Sequence, residues 1–127
     1  MRTIVVVEDE PLIRLALEDQ LTRLGFSVLA FENSLEAVAC IHGLDGPPSC
    51  VISDLRLPGV SGWQLARAAR QAFPDVPVLY ITGGTTADRS FEAVENGAYL
   101  QKPFSRSAFR QVIERLTSKT KLARASS

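Results

Sequence analysis

Apolar residues in this chain fall into two alternating kinds of segment, short dense runs and longer spaced patterns. Thr3-Ile-Val-Val-Val-Glu8 is a continuous β-branched run, which predicts a strand covered on both faces. Ile13, Leu17, Leu21 and Leu24 then recur at helical spacing, with Pro11 suited to the first turn and Gly25 to the end. Phe26–Phe31 predicts a second strand. Asn33 or Ser34 can cap a short helix to about His42, with Leu35, Val38 and Ala39 on one side. Gly43–Ser49, with Gly46-Pro47-Pro48, is a loop before a third strand, Cys50–Asp54. The loop Leu57-Pro58-Gly59-Val60-Ser61-Gly62 leads to a helix that buries Leu65, Ala69, Ala72 and Phe73 and stops at Pro74. Val76–Ile81 is the fourth strand and Thr82-Gly83-Gly84 its loop. A helix with Ala87, Phe91 and Val94 inward runs to Asn96-Gly97. Ala98–Gln101 is a short fifth strand, broken by Lys102-Pro103. The last helix starts near Ser105 and buries Phe109, Val112, Ile113 and Leu116, and Thr117–Ser127 reads as tail.

Five alternating strand–helix units predict an α/β fold, a parallel sheet with helices on both faces. The flavodoxin-like doubly wound order 2-1-3-4-5 fits them, over one domain at 1–118 with a polar, basic tail at 119–127. Hydrophobic residues at 46% and charged ones at 22% exclude a disordered chain. No apolar run approaches the ~20 residues of a membrane span. Glu8-Asp9-Glu10 arrives too early for a signal peptide. Cys40 and Cys50 lack CxxC spacing and His42 is the sole histidine, which argues against zinc or disulfides and for a reducing cytoplasm. The net charge of zero hides an asymmetry: residues 1–100 carry 7 basic and 13 acidic side chains, residues 101–127 carry 7 basic and 1 acidic. An acidic body argues against nucleic acid as the main partner.

In doubly wound sheets ligands sit beyond the carboxyl ends of the strands. Here those ends carry Glu8-Asp9-Glu10, Asp54, Thr82 and Lys102-Pro103. Taken singly, each has a bland role. A strand-end Asp is more often a cap or loop residue, by roughly two to one. A Thr makes local hydrogen bonds, and a Lys is solvated. Their conjunction on one rim is the signal. Crowded carboxylates repel unless a cation intervenes, and magnesium suits a site of one or two carboxylates that keeps waters. A divalent ion, a lysine and a hydroxyl around a carboxylate make a phosphoryl-transfer site, with the carboxylate as nucleophile.

These residues make the chain resemble a response-regulator receiver domain of two-component signalling, over about residues 3–118. The resemblance rests on Val-Glu8-Asp9-Glu, on Asp54-Leu-Arg-Leu-Pro58-Gly-Val-Ser-Gly62, on Ile-Thr82-Gly-Gly and on Ala-Tyr99-Leu-Gln-Lys102-Pro103-Phe104. It implies Asp54 as phosphoacceptor and Mg2+ as cofactor. Asp9 would ligate the ion directly and Glu8 through water, with Asp54 and the backbone carbonyl of Arg56 as further ligands. It implies Thr82 and Lys102 on the phosphoryl group, and a cis Lys102-Pro103 bond. Tyr99 would be the switching aromatic that fills space vacated when Thr82 moves inward. Two departures stand out. Glu8 takes a place where Asp is commoner, and Gly83-Gly84 follow Thr82, which would open the phosphoryl face to water against a partial shield from Arg56.

The implied output face comprises the fourth helix, fifth strand and fifth helix. It carries Asp88, Arg89, Glu92 and Glu95, then Arg106, Arg110 and Arg115, a mixed charge suited to a protein partner. The expected phosphodonor is a histidine kinase or phosphotransfer protein, and the chain is expected to be a monomer or a phosphorylation-dependent dimer. The expectation is a stand-alone receiver that catalyses its own phosphorylation and dephosphorylation without being a conventional enzyme. The alternatives are a receiver fragment of a hybrid histidine kinase and a non-phosphorylated scaffold. A haloacid-dehalogenase-type phosphatase needs a second Asp where Arg56 stands. An FMN carrier would meet repulsion from Glu8-Asp9-Glu10. Trp63 is expected to pack in the core or at its rim, Cys40 and Cys50 to be buried small hydrophobes, and His42 to be a helix-end residue.

Overall fold

The computed structural model describes residues 2–55, 61–83 and 97–126, with the last helix's side chains as far as residue 118. Its elements are β1 (Thr3–Val7), α1 (Pro11–Arg23), β2 (Ser27–Phe31), α2 (Ser34–His42), β3 (Cys50–Asp54), α3 (Gly62–Ala72), β4 (Val78–Thr82), β5 (Gly97–Gln101) and α4 (Arg106–Ser126). The strands form one sheet in the order β2-β1-β3-β4-β5, and every pairing is parallel. This is the doubly wound order the alternation predicts. The helix expected between β4 and β5, with Asp88, Arg89, Glu92 and Glu95, lies outside the described residues, as do Arg56 and Gly84.

Strand alternation divides the interior into two cores. Ile4, Val6, Ile52, Leu79 and Ile81 face α1 and α4, meeting Leu17, Leu21, Phe109, Ile113 and Leu116. Val5, Val7 and Val51 face α2 and α3, meeting Ala37, Ile41, Leu65 and Ala69. Burying each of the larger side chains among these contributes about 1.5–3 kcal/mol, which holds the central strands firmly. The end of α1 shows how local chemistry aims the next strand. Gly25 takes φ +94°, where a side chain would be strained. Its N–H reaches Thr22 O and the Phe26 N–H reaches Leu21 O, closing the helix as a Schellman motif.

β1, β2 and β5 each shift by one residue at one end, and three larger differences stand out. The inward side of α2 is Ser34, Ala37 and Ile41, while Leu35 is 67% exposed. One short helix offers two nearly equivalent apolar stripes, and packing on β1 and α3 chooses between them. β4 starts at Val78 rather than Val76: Pro77 has no N–H to give a ladder, though its carbonyl accepts from Val51 N. α4 runs on to Ser126, where the sequence reads as tail from Thr117. Lys, Leu, Ala and Arg in that stretch are good helix formers, and Thr117 turns its hydroxyl back onto Ile113 O instead of breaking the helix.

Candidate phosphoryl-transfer site

The strand order reverses between β1 and β3, so the crevice at their carboxyl ends is the natural ligand position. Glu8 and Asp9 follow β1 directly and Asp54 is the last residue of β3. One carboxylate oxygen from each of Glu8, Asp9 and Asp54 lies within 4.8 Å of the others. Lys102, just beyond β5, sends its Nζ into the same space. It donates to Asp54 Oδ2 at 2.8 Å and to Glu8 Oε1 at 2.9 Å. The Lys102 N–H donates to Thr82 O at 2.8 Å, which ties the lysine to the end of β4. The Lys102-Pro103 peptide bond is cis.

The three carboxylates are not equivalent. Glu8 is 1% exposed, while Asp9 is exposed. Burial pushes the Glu8 carboxyl above the ordinary range for a glutamic acid, against the pull of Lys102 and of the Glu10 N–H. That N–H meets Glu8 Oε2 at 3.2 Å, and Arg14 Nη1 donates to Glu8 O at 2.9 Å. Glu8 is therefore fixed at both its side chain and its carbonyl. Burial acts to lower the Lys102 ammonium, but its bonds to Asp54 and Glu8 outweigh that and hold it above the ordinary lysine value. One ammonium among three carboxylates leaves the rim negative. Oxygen-only donors at this spacing fit a hard divalent cation such as Mg2+ and not a thiolate- or imidazole-seeking metal.

The structure thus gathers Glu8, Asp9, Asp54 and Lys102 into one cluster. Thr82 is buried at the end of β4 beside them, and Gly83 borders Lys102, whose Cδ lies 3.8 Å from where a Gly83 side chain would begin. Tyr99 stands apart on β5, half-buried, its ring stacked on Tyr80 with centroids 5.2 Å apart. Arg56 lies outside the described residues. The sequence leaves Lys102 able to pair with a carboxylate or hold an anion, and the structure shows its carboxylate partners to be Asp54 and Glu8 together. The sequence reading missed the part played by Gly62. A Cβ there would lie 2.5 Å from Asp54 O and 3.0 Å from Leu55 Cα, so only glycine lets α3 start against the backbone of Asp54. The Gly62 N–H donates to Leu55 O, and Ser61 and Gln64 form a capping box that fixes the helix start. A glycine directly after a capping serine, just past a strand-end Asp, was the available signal. Trp63 packs at the core rim against Tyr80, Cys50 is buried and Cys40 only partly so, and His42 is the exposed last residue of α2.

The family model for the response regulator receiver domain matches residues 4–114. The DNA-binding transcriptional regulator NtrC of Salmonella typhimurium is 34% identical over 115 residues, covering 89% of this chain and 24% of that protein. The response regulator protein FleR of Pseudomonas aeruginosa is 37% identical over 114 residues, covering 88% of this chain and 24% of that protein. The chain thus spans roughly a quarter of the length of these curated relatives. Among solved structures, a response regulator receiver protein from Sinorhizobium medicae WSM419 superposes with a TM-score of 0.87 at 29% identity, covering 92% of this chain and 94% of that one. The receiver domain of the sensor histidine kinase PA1611 from P. aeruginosa PAO1, with a magnesium ion coordinated in its active-site cleft, gives 0.80 at 25% identity, covering 92% and 98%.

Proposed function

The chain belongs to the response regulator receiver domain family, and from that premise we propose that it is a phosphoacceptor in which Asp54 takes a phosphoryl group from a histidine kinase or phosphotransfer protein. The observation that carries this reading is the convergence on Asp54 Oδ2 of the Lys102 ammonium at 2.8 Å, inside a set of carboxylates spaced for a divalent cation. A carboxylate oxygen of Asp54 attacks phosphorus, and the bond from phosphorus to the donor atom breaks with its electron pair leaving on the donor. Lys102 then trades its bond to Asp54 for one to a phosphoryl oxygen, and the Thr82 hydroxyl donates to another. Glu8, Asp9 and Asp54 would hold Mg2+, with the Arg56 carbonyl as a further ligand. When bound, the ion offsets negative charge developing on the phosphoryl oxygens. Hydrolysis of the acyl phosphate returns the carboxylate. The chain in this reading catalyses changes on its own Asp54 and turns over no separate substrate.

The consequence is a population shift at the β5 edge. Thr82, drawn toward the phosphoryl group, leaves room into which Tyr99 moves. The surface around β5 and the exposed Arg106, Arg110 and Arg115 of α4 would then present a different shape to a downstream protein. The NtrC and FleR relatives support a regulatory output carried by a longer chain.

Intact mass after incubation with magnesium and acetyl phosphate tests the reading. A single phosphoryl adduct is expected on the wild type, and none on Asp54→Asn or without magnesium. A folded, magnesium-binding sample that gains no adduct and does not bind beryllofluoride would favour a scaffold that is never phosphorylated.

A further inference from the structure

We propose that Trp63 and Tyr80 are positioning residues for Tyr99, linking the start of α3 to the β5 edge so that Trp63 repacks when Asp54 is loaded. The inference rests on the phosphoacceptor reading above and extends it to two residues outside the charged cluster. Three rings lie in mutual contact. Trp63 and Tyr80 are 4.6 Å apart and tilted, Tyr80 and Tyr99 are 5.2 Å apart and stacked, and Trp63 and Tyr99 are 6.0 Å apart and edge-on.

The register explains the arrangement. Tyr80 pairs with Tyr99 across β4 and β5, and in a parallel pair such neighbours share a face. Tyr80 and Thr82 are two residues apart on β4, so they share that face too. Tyr80 is fully buried and serves as the floor on which the half-buried Tyr99 ring lies. Leu79 and Ile81 point the other way, into the core against α1 and α4. Any move of Tyr99 toward Thr82 must therefore slide its ring over Tyr80. Ring contacts of this kind depend on orientation, because the face and the edge of each ring carry opposite partial charge. A shift of Tyr99 changes its edge-on contact with Trp63 at the same time.

Trp63 is anchored from its other side. It follows Gly62, which lies against Asp54 O, and its helix start is pinned by the Ser61–Gln64 capping box. With that side held, a change in Trp63 emission reports its ring contacts with Tyr80 and Tyr99. The tryptophan thus stands between the chemistry and the β5 edge, with Tyr80 as the shared contact.

Trp63 is the single tryptophan of the chain, so its fluorescence reports this place alone. The experiment records Trp63 emission and acrylamide quenching with magnesium, before and after beryllofluoride. Bound fluoride is followed separately by 19F NMR. The wild type is expected to show bound fluoride and a changed Trp63 emission. Tyr80→Leu should keep the bound-fluoride signal and lose the emission change, and Tyr80→Phe, which keeps the ring, should restore it. Tyr99→Leu, at the sheet edge, tests the same contact where a change at buried Tyr80 prevents folding, and it too should lose the emission change. Bound fluoride with a silent Trp63, or an undiminished response in Tyr99→Leu, overturns the proposal and leaves the phosphoacceptor reading intact. Absence of bound fluoride in the wild type overturns both.

Discussion

Cys50 and Asp54 are the two ends of β3, four residues apart and both buried, and their surroundings are opposite in kind. Cys50 is 0% exposed, and burial pushes its thiol up to about 12, so it remains neutral at any physiological pH. Its sulfur lies 3.7 Å from Val51 O. Asp54 is 9% exposed, yet it meets an ammonium and two further carboxylates. Burial by itself opposes charge at either end. The difference is that every strand of a parallel sheet finishes on the same side. The carboxyl end of β3 therefore meets residues delivered by β1 and β5, whereas the Cys50 side chain at its amino end lies in the apolar core. Strand direction decides that the carboxylates and the lysine gather at one end of β3, where they offset the cost of burial for one another.

The largest effect is expected from removing the cation that makes the charged end tolerable. Lys102→Ala leaves Glu8, 1% exposed, without its ammonium. Breaking a buried pair on one side costs about 3–5 kcal/mol, and the partial exposure of Lys102 places the expected loss near the lower bound. Urea unfolding measures it, and millimolar magnesium should recover part of the loss. A midpoint equal to the wild type would mean that the carboxylates tolerate one another without the lysine.

A smaller effect is expected from Gly62→Ala, which attacks the same strand end through shape instead of charge. The new methyl would overlap Asp54 O, so α3 must shift, at a cost of about 1–3 kcal/mol by the usual penalty for overpacking. Because Asp54 moves with it, acetyl phosphate should load this variant more slowly than the wild type. Normal stability together with normal loading would show that the α3 start yields without disturbing Asp54. The least disruptive test bears on the amino end. Iodoacetamide at pH 8 should add one group to the native protein, at partly buried Cys40, and two after unfolding, with Cys50 as the late site. Two additions at equal rates in the native state would mean that the amino end of β3 opens to water.

Much of the fold was legible because it is written in local periods. The β-branched run at Thr3–Val7, the helical spacing of Leu17 and Leu21, and Gly25 after them each depend on neighbours a few residues away. The same holds for β3, whose bounds at Cys50 and Asp54 the sequence predicts without error. Where local signals were balanced, the reading failed. α2 could turn Leu35 or Ala37 inward, and only packing against the sheet and α3 selects Ala37. The stretch after Leu116 is polar enough for a tail and helical enough to extend α4, and helix propagation prevails.

By itself, then, the sequence determined the alternation of strands and helices, the parallel order that follows from it, and the set of residues that reach one rim. Those are consequences of spacing, of side-chain shape and of the handedness of crossovers, all of which a linear chain carries. Only the tertiary structure decided how the rim residues bond. Lys102 chooses Glu8 as well as Asp54 across a separation of 94 residues, Gly62 lies against Asp54 O, and three rings meet between α3 and β5. Contacts at such separations depend on where whole strands and helices come to rest, and the packing of two cores around one sheet fixes those positions to within a fraction of a side chain.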